Sequence, residues 1–286
     1  MKNKIGFKRH FSTTLAAILL MFFTMSACEQ ALDDTGRFRV VLHDNPGEFE
    51  EVWIEVLQVE VNNLDDEESG WEVISEPGEQ YDLLKLVNGN QAVLADAELE
   101  PGTYRQIRLI LGDDNYVVVN GEPHGLKTPS AQQTGVKLNI NAEIQSGITY
   151  TMGLDFDVNK SIVKRGNAPV PEPYLLKPVI RAYAQAETGI ITGVVEPYVE
   201  GTMVSTEVEV DEGEVETVSA FVEEETGAFR LIGLPTGIYD IVVDPGEDYT
   251  PVSVEDIEVE AGETTDVGVI ELEEDGGDTD DDNGDN

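Results

Sequence analysis

Two pairs of side chains are of types that could support acid–base or metal chemistry. His43 precedes Asp44 in "VLHDNP", and Asp155 and Asp157 alternate in "LDFDVNKS". A histidine beside a carboxylate could serve as a catalytic base with its orienting acid. Alternate residues of a strand lie on one face about 7 Å apart, so Asp155 and Asp157, with Asn159 beyond them, could share a calcium ion.

Structural interpretations compete with both pairs. Asp44 can cap the turn before Pro46, and we prefer this interpretation of the histidine pair to a catalytic triad. Asp155 and Asp157 could also be the acid and base of a glycosidase. Alternatively, they face solvent or bond to a turn, and so help to pack this segment together. The sequence contains no zinc-protease, hydrolase-elbow, dinucleotide or P-loop motif. We therefore predict no catalytic residues, and we keep Asp155 and Asp157 as a candidate calcium site with no other cofactor.

The acidic C-terminus and the two tryptophans raise further ligand hypotheses. In "EEDGGDTDDDNGDN" the acids alternate as in a calcium loop, but Gly284 falls one place late and no closing glutamate follows. We predict that this tail, residues 273–286, is disordered. Trp53 and Trp71 could stack on sugars, although we expect Trp71 in the core.

The N-terminus has the pattern of an export signal. The first ten residues are basic, and the apolar run "LAAILLMFFTM" follows. This run is shorter than the roughly 20 residues of a membrane span. Cys28, the only cysteine, comes directly after Ser26 and Ala27, an arrangement that resembles a bacterial lipobox. We predict a lipoprotein signal peptide (1–27), acylation of Cys28 and a polar tether (28–35); the alternative is an ordinary signal with an incidental cysteine.

The net charge restricts the partners. The chain has 17 Lys+Arg against 58 Asp+Glu, a formal net charge of −41. Nucleic acid is excluded, because phosphate binding requires basic clusters. The same charge opposes binding to an anionic membrane surface, so the N-terminal lipid must provide the membrane contact. Self-repulsion of this size also predicts a protein that salt stabilises.

Alternating apolar and polar residues predict an all-β protein. Segments such as "EVWIEVLQVEV", "YRQIRLIL" and "ITYTMGLDFDV" alternate with period two, and Gly- and Pro-rich turns separate them. Arg230 is the only basic residue between positions 188 and 272, and this change of composition indicates a domain boundary. We expect two β-sandwich domains in tandem, residues 36–186 and 188–272.

Several ordered motifs resemble known families. Residues 36–184 resemble DUF4382, a family of bacterial lipoprotein domains of unknown function, through "VLHDNP", "GWEVI", "DLLKLVNG", "LEPGTYRQIRLIL", "LKTPSAQQTGVKL", "LDFDVNKSIV" and "YLLKPVIRA". His43 and Asn45 depart from the turn that is usual in that family. Residues 188–272 resemble the carboxypeptidase regulatory-like, transthyretin-type sandwich through "GIITGVV", "TGAFRLIGLPTGIYDIVV" and "VEAGETTDVGVIEL". The first resemblance implies fold and location, and the second implies a spacer or a carbohydrate contact.

These observations predict a non-enzymatic, lipid-anchored envelope protein with a binding or scaffolding role. Its expected location is the outer membrane or the cell surface, with the periplasmic face as the alternative. The expected partners are the membrane, through the lipid, and a glycan or an envelope protein. A carbohydrate-binding surface module and a fimbrial or adhesin-like subunit are the alternative functions.

Overall fold

The computed structural model describes residues 35–45, 49–63, 70–128, 134–165, 174–211, 214–246 and 249–274. The signal peptide, Cys28, nearly all of the tether and the tail from residue 275 onward lie outside the described residues. The prediction of an all-β fold is confirmed, because strands make up most of the described chain. Among the described residues, none of the helices is long and apolar enough to span a membrane.

The strands before residue 187 form the part that we call the first sandwich. They are β1 (Gly36–Asn45), β2 (Glu51–Asn62), β3 (Trp71–Ser75), β4 (Glu79–Asp82), β5 (Ala92–Leu99), β6 (Gly102–Leu111), β7 (Tyr116–Val119), β8 (Glu122–Lys127), β9 (Val136–Ile144), β10 (Thr149–Asp157), β11 (Ile162–Lys164), β12 (Tyr174–Leu176) and β13 (Ile180–Ala184). Its helices are short: two 3-10 turns, Leu83–Lys85 and Gln185–Glu187, and one helical turn, α1 (Val158–Ser161).

The strands after residue 187 form the second sandwich. They are β14 (Thr188–Glu196), β15 (Met203–Asp211), β16 (Glu214–Phe221), β17 (Ala228–Pro235), β18 (Gly237–Asp244), β19 (Val252–Val259) and β20 (Thr264–Glu271). They make a three-stranded sheet, β17-β14-β20, and a four-stranded sheet, β16-β15-β18-β19.

Each sandwich encloses its own hydrophobic core. In the first, the sheet β13-β10-β1-β5 packs on the larger sheet β11-β12-β8-β7-β2-β6-β9, with β3 and β4 also paired to β2. Alternation decides which side chains are inside: Val52, Ile54 and Val56 are buried, whereas Trp53 between them faces outward. The buried residues of this core run from Phe38 to Leu176, and those of the second core run from Ile191 to Leu272.

A tyrosine fixes the same turn in both sandwiches. The Tyr104 hydroxyl donates to the carbonyl oxygen of Glu100 at 3.2 Å, and the Tyr239 hydroxyl donates to the carbonyl oxygen of Pro235 at 2.8 Å. Tyr104 ends "PGTY" and Tyr239 ends "PTGIY", so a proline and a glycine precede each tyrosine. This bond, four residues back along the chain, holds each turn against the strand that follows it.

Candidate functional site

The predicted histidine is buried where the two sandwiches meet. His43 is 2% exposed, and its Nε2 lies 2.8 Å from the Tyr183 hydroxyl. Its Nδ1 lies 3.6 Å from Oδ1 of Asp155. Strand pairing brings these side chains together. His43 of β1 is paired with Asp155 of β10, and Asp155 is paired with Arg181 of β13.

Arg181 connects the first sandwich to the second. Its Nη2 donates to Oδ2 of Asp155 at 2.9 Å, and its Nη1 donates to the carbonyl oxygen of Gly233 at 2.6 Å. Its Nε lies 3.7 Å from the carboxylate of Glu216, also in the second sandwich. Because only 8% of the Arg181 side chain is exposed, these are buried, charge-assisted bonds. We call His43, Asp155, Arg181, Tyr183 and Gly233 the Arg181 junction.

Two glycines make room for the Tyr183 ring. A Cβ atom on Gly153 would overlap the ring, and a Cβ atom on Gly233 would lie 2.8 Å from it. Gly233 also has φ +73, a conformation that favours glycine. The guanidinium carbon of Arg181 lies 5.0 Å from the Tyr183 ring centroid, within cation–π range.

Further contacts close the junction around a very small cavity. The Asn88 side-chain amide donates to the carbonyl oxygen of Phe221 at 3.1 Å. A cavity of about 10 Å³ lies between His43, Asp155 and Asn88 of the first sandwich and Ala220 of the second. That is room for about one water molecule, so this cavity cannot admit a substrate.

Burial determines the protonation of the junction. Desolvation lowers the pKa of His43; the Asp155 carboxylate opposes this effect and the Arg181 charge adds to it. Desolvation raises the pKa of Tyr183, and Asp155 raises it further. His43 is therefore neutral and Tyr183 keeps its proton at neutral pH. The order Tyr–His–Asp resembles that of a catalytic triad, but the cavity beside these side chains has room for about one water molecule.

The two aspartates of the candidate calcium site have different partners. Asp155 is 5% exposed and bonds to Arg181. Asp157 caps α1, because its side chain accepts a hydrogen bond from the Lys160 backbone N–H at 2.9 Å, and it pairs with the Lys160 ammonium, also at 2.9 Å. Within the described ranges, no three or more His, Cys, Asp or Glu side chains converge as metal ligands. The calcium site stays a prediction, and an ion there would compete with two cationic side chains.

Sequence reasoning missed Arg181 and Tyr183. They occur in "VIRAYA", where alternation identifies a strand but does not reveal its neighbours. Two weak signals were present. Gly153 and Gly233 lie inside strand patterns, which indicates that another group approaches closely, and Arg181 is a charged residue within an apolar strand.

The two tryptophans lie outside the buried cores. Trp71, which we expected in the core, is half-buried, and the guanidinium carbon of Arg108 lies 4.2 Å from its ring centroid. Trp53 is half-buried on the outer face of the larger sheet, beside Tyr116. Asp44 is buried and its backbone N–H donates to the carbonyl oxygen of Leu86; the turn that we expected it to cap lies outside the described residues.

Comparison with known proteins gives one family and several distant structures. The family described as "Domain of unknown function (DUF4382)" matches residues 35–178. No curated protein matches the chain. The Bacillus anthracis TIE protein is 11% identical with a TM-score of 0.21, and the match covers 84% of this chain but only 34% of that protein.

Two other solved structures are similar over most of their own length. The minor pilin GBS52 of Streptococcus agalactiae is 10% identical with a TM-score of 0.21, covering 83% of this chain and 96% of the pilin. A putative cell adhesion protein from Bacteroides ovatus is 10% identical with a TM-score of 0.23, covering 84% and 96%. Scores this low carry no conclusion about function.

Proposed function

We propose that this chain, which belongs to the DUF4382 family of domains of unknown function, is a lipid-anchored cell-envelope protein with a non-enzymatic binding or scaffolding role. Acyl chains on Cys28 would hold it at the outer membrane or the cell surface, with the periplasmic face as the alternative. Stable anchoring requires more than one acyl chain. Residues 188–272 would then be a carboxypeptidase regulatory-like module, and their three-plus-four strand arrangement supports this assignment.

The Arg181 junction is the observation that carries the proposed role. A scaffold or a surface binder must keep its domains at a fixed separation, and here a buried arginine bonds to both sandwiches at once. An unpaired buried donor is costly, so losing the bond from Arg181 to Gly233 would penalise any arrangement that separates the two sandwiches. The cavity beside His43 has room for about one water molecule. It therefore leaves no space for a substrate at the imidazole.

Labelling in cells tests the anchor and the side of the membrane together. Cells that express the full chain are fed a clickable palmitate analogue, and intact cells are then treated with protease. We expect labelled, membrane-bound wild-type protein that the protease digests at the surface. Cys28→Ala should be unlabelled. Labelled protein that resists the protease would support the periplasmic face, and unlabelled wild-type protein would overturn the lipid anchor.

A groove that both sandwiches line favours a fimbrial or adhesin-like subunit as a second candidate function. In the described part of the chain, β9 pairs only with β6 and β13 pairs only with β10, so each has an open edge. Beside these edges lies a groove of about 700 Å³. Its apolar lining includes Leu138, Ile140 and Ile180 of the first sandwich and Val208 of the second. An added strand from another copy could bond to such an edge.

Self-association distinguishes this candidate from a monomeric scaffold. Native mass spectrometry of the detergent-solubilised chain should show oligomers that Ile140→Lys disrupts, if strands are exchanged. Val269→Lys is the control, because Val269 is 57% exposed on the second sandwich, away from the groove. A monomer at all concentrations would remove the fimbrial candidate.

A further inference from the structure

A row of side chains crosses the outer face of the larger sheet. Trp53 of β2 is paired with Asp82 of β4 on one side and with Tyr116 of β7 on the other. Tyr116 is in turn paired with Gly125 of β8. We call Lys85, Trp53 and Tyr116 the aromatic row, since Lys85 follows β4 and lies over Trp53.

The members of the aromatic row stack against one another. The rings of Trp53 and Tyr116 are 6.1 Å apart between centroids and only 19° from parallel. The Lys85 ammonium lies 5.5 Å from the Trp53 centroid, and Asp82 holds it at 2.9 Å. The Trp53 indole N–H donates to Glu51 at 2.7 Å. One end of the row is therefore closed by a cation.

The other end of the row is open. A Cβ atom added to exposed Gly125 would meet no heavy atom within 4 Å. Aromatic rings often fold over a glycine in the neighbouring strand, but the Tyr116 ring does not cover Gly125. Adjacent strands are about 4.8 Å apart, so a flat group stacked on the free face of Tyr116 would lie directly above Gly125.

We propose that Tyr116 and Gly125 form a stacking site for the apolar face of a neutral pyranose in a glycan. The face of an aromatic ring is electron-rich, and the C–H groups on one face of a glucose-like sugar carry the complementary partial charge. The net charge of −41 disfavours anionic sugars. This inference specifies a neutral glycan as the ligand in the binding role proposed above, and it rests on that proposal.

Polar groups beside the site can bond the sugar hydroxyls. Lys127 is exposed and lies two residues beyond Gly125, on the same face of β8. Glu51 lies at the Trp53 side of the row, where it accepts the indole hydrogen bond. Charged donors and acceptors around an aromatic platform would orient a sugar that the ring alone holds loosely.

Calorimetric titration of the detergent-solubilised full chain with cellohexaose and laminarihexaose tests the site. Both probes are neutral chains of β-linked glucose, whose equatorial hydroxyls leave flat C–H faces. We expect saturable binding of at least one probe, weakened about tenfold or more by Tyr116→Ala. Gly125→Leu should abolish binding, because its side chain occupies the space beside Tyr116. Gly125→Ser and Tyr198→Ala are the controls and should bind as the wild type does. The serine side chain is small, and Tyr198 is 39% exposed on the second sandwich.

Two results would overturn the inference. One is the absence of saturable binding of both probes by wild-type protein. The other is wild-type affinity in Gly125→Leu, with circular dichroism showing that the variant is folded. Palmitate labelling of Cys28 is measured separately, so loss of sugar binding with normal labelling would remove the glycan site and leave the anchored scaffold standing.

Discussion

Arg181 donates a hydrogen bond to the carbonyl oxygen of Gly233 at 2.6 Å, and in doing so joins two sandwiches that have separate cores. The other side of the same guanidinium bonds to Asp155 at 2.9 Å. One buried cation thus bonds to a carboxylate oxygen of the first sandwich and to a backbone carbonyl of the second.

Removing the cation should destabilise the folded protein strongly. In Arg181→Ala the Asp155 carboxylate would remain buried without its partner, a change that typically costs about 3–5 kcal/mol. Urea unfolding monitored by tryptophan fluorescence would measure the loss. Arg39→Ala is the matched control, because Arg39 is exposed on β1, and it should shift stability by less than about 0.5 kcal/mol. Equal stability of the two variants would contradict the importance of the junction.

A methyl group on Gly153 should disturb the junction through Tyr183. The added Cβ would overlap the tyrosine ring, and overpacking of this kind costs about 1–3 kcal/mol. In the Tyr183→Ala background the same substitution should cost much less, so a double-mutant cycle measures the coupling. Gly125→Ala, at a strand glycine with open space around it, is the control. Additive effects of the Gly153 and Tyr183 substitutions would show that the two do not touch.

Stability should fall as the pH drops below about 6.5, the ordinary pKa of histidine. Burial lowers the pKa of His43 in the fold, so between its folded and unfolded pKa values the unfolded chain binds more protons. Stability therefore increases with pH in that window, by up to about 1.4 kcal/mol per pH unit. The groups facing His43 are Asp155, Arg181 and Tyr183.

The non-titrating variant His43→Asn isolates this effect from the many carboxylates. Unfolding free energies of both proteins between pH 5.5 and 7.5 give the difference in slope. The wild type should lose stability more steeply toward acid than His43→Asn. Parallel curves would mean that His43 does not change protonation on unfolding.

Salt should stabilise the protein. The acidic side chains that give the net charge of −41 repel one another in the folded state. Salt weakens this repulsion, because the screening length falls from about 30 Å at 0.01 M to about 3 Å at 1 M. Tm should therefore increase from 10 mM to 1 M NaCl, and KCl should give the same curve if screening is the cause. A Tm that does not change with salt would remove the self-repulsion argument.

The all-β fold could be predicted because it depends on a local pattern. Alternation in "EVWIEVLQVEV" puts Val52, Ile54 and Val56 on one face of a strand, and this face is buried in the structure. In the same way, "PGTY" and "PTGIY" place Tyr104 and Tyr239 next to the turns whose carbonyl oxygens their hydroxyls bond. Both signals involve residues close in sequence, so local rules are sufficient.

The junction and the aromatic row could not be predicted, because they depend on strand order. His43 and Tyr183 are 140 residues apart, and they meet because β10 pairs with both β1 and β13. Asp155 and Asp157 do lie on one strand as expected, but Arg181 and Lys160 come from elements whose position alternation does not reveal. The prediction that Trp71 lies in the core was wrong for the same reason. Its partner Arg108 comes from another strand, and the sequence does not reveal the strand order.

A distance measurement between the sandwiches tests the central claim most directly. Spin labels are placed at Asp113→Cys and Glu224→Cys, exposed positions in the first and second sandwich, in a Cys28→Ala background. Double electron–electron resonance should give one narrow distance distribution, which broadens when Arg181→Ala and Tyr183→Ala are added. A broad distribution in the protein with an intact junction would contradict a fixed arrangement of the two sandwiches.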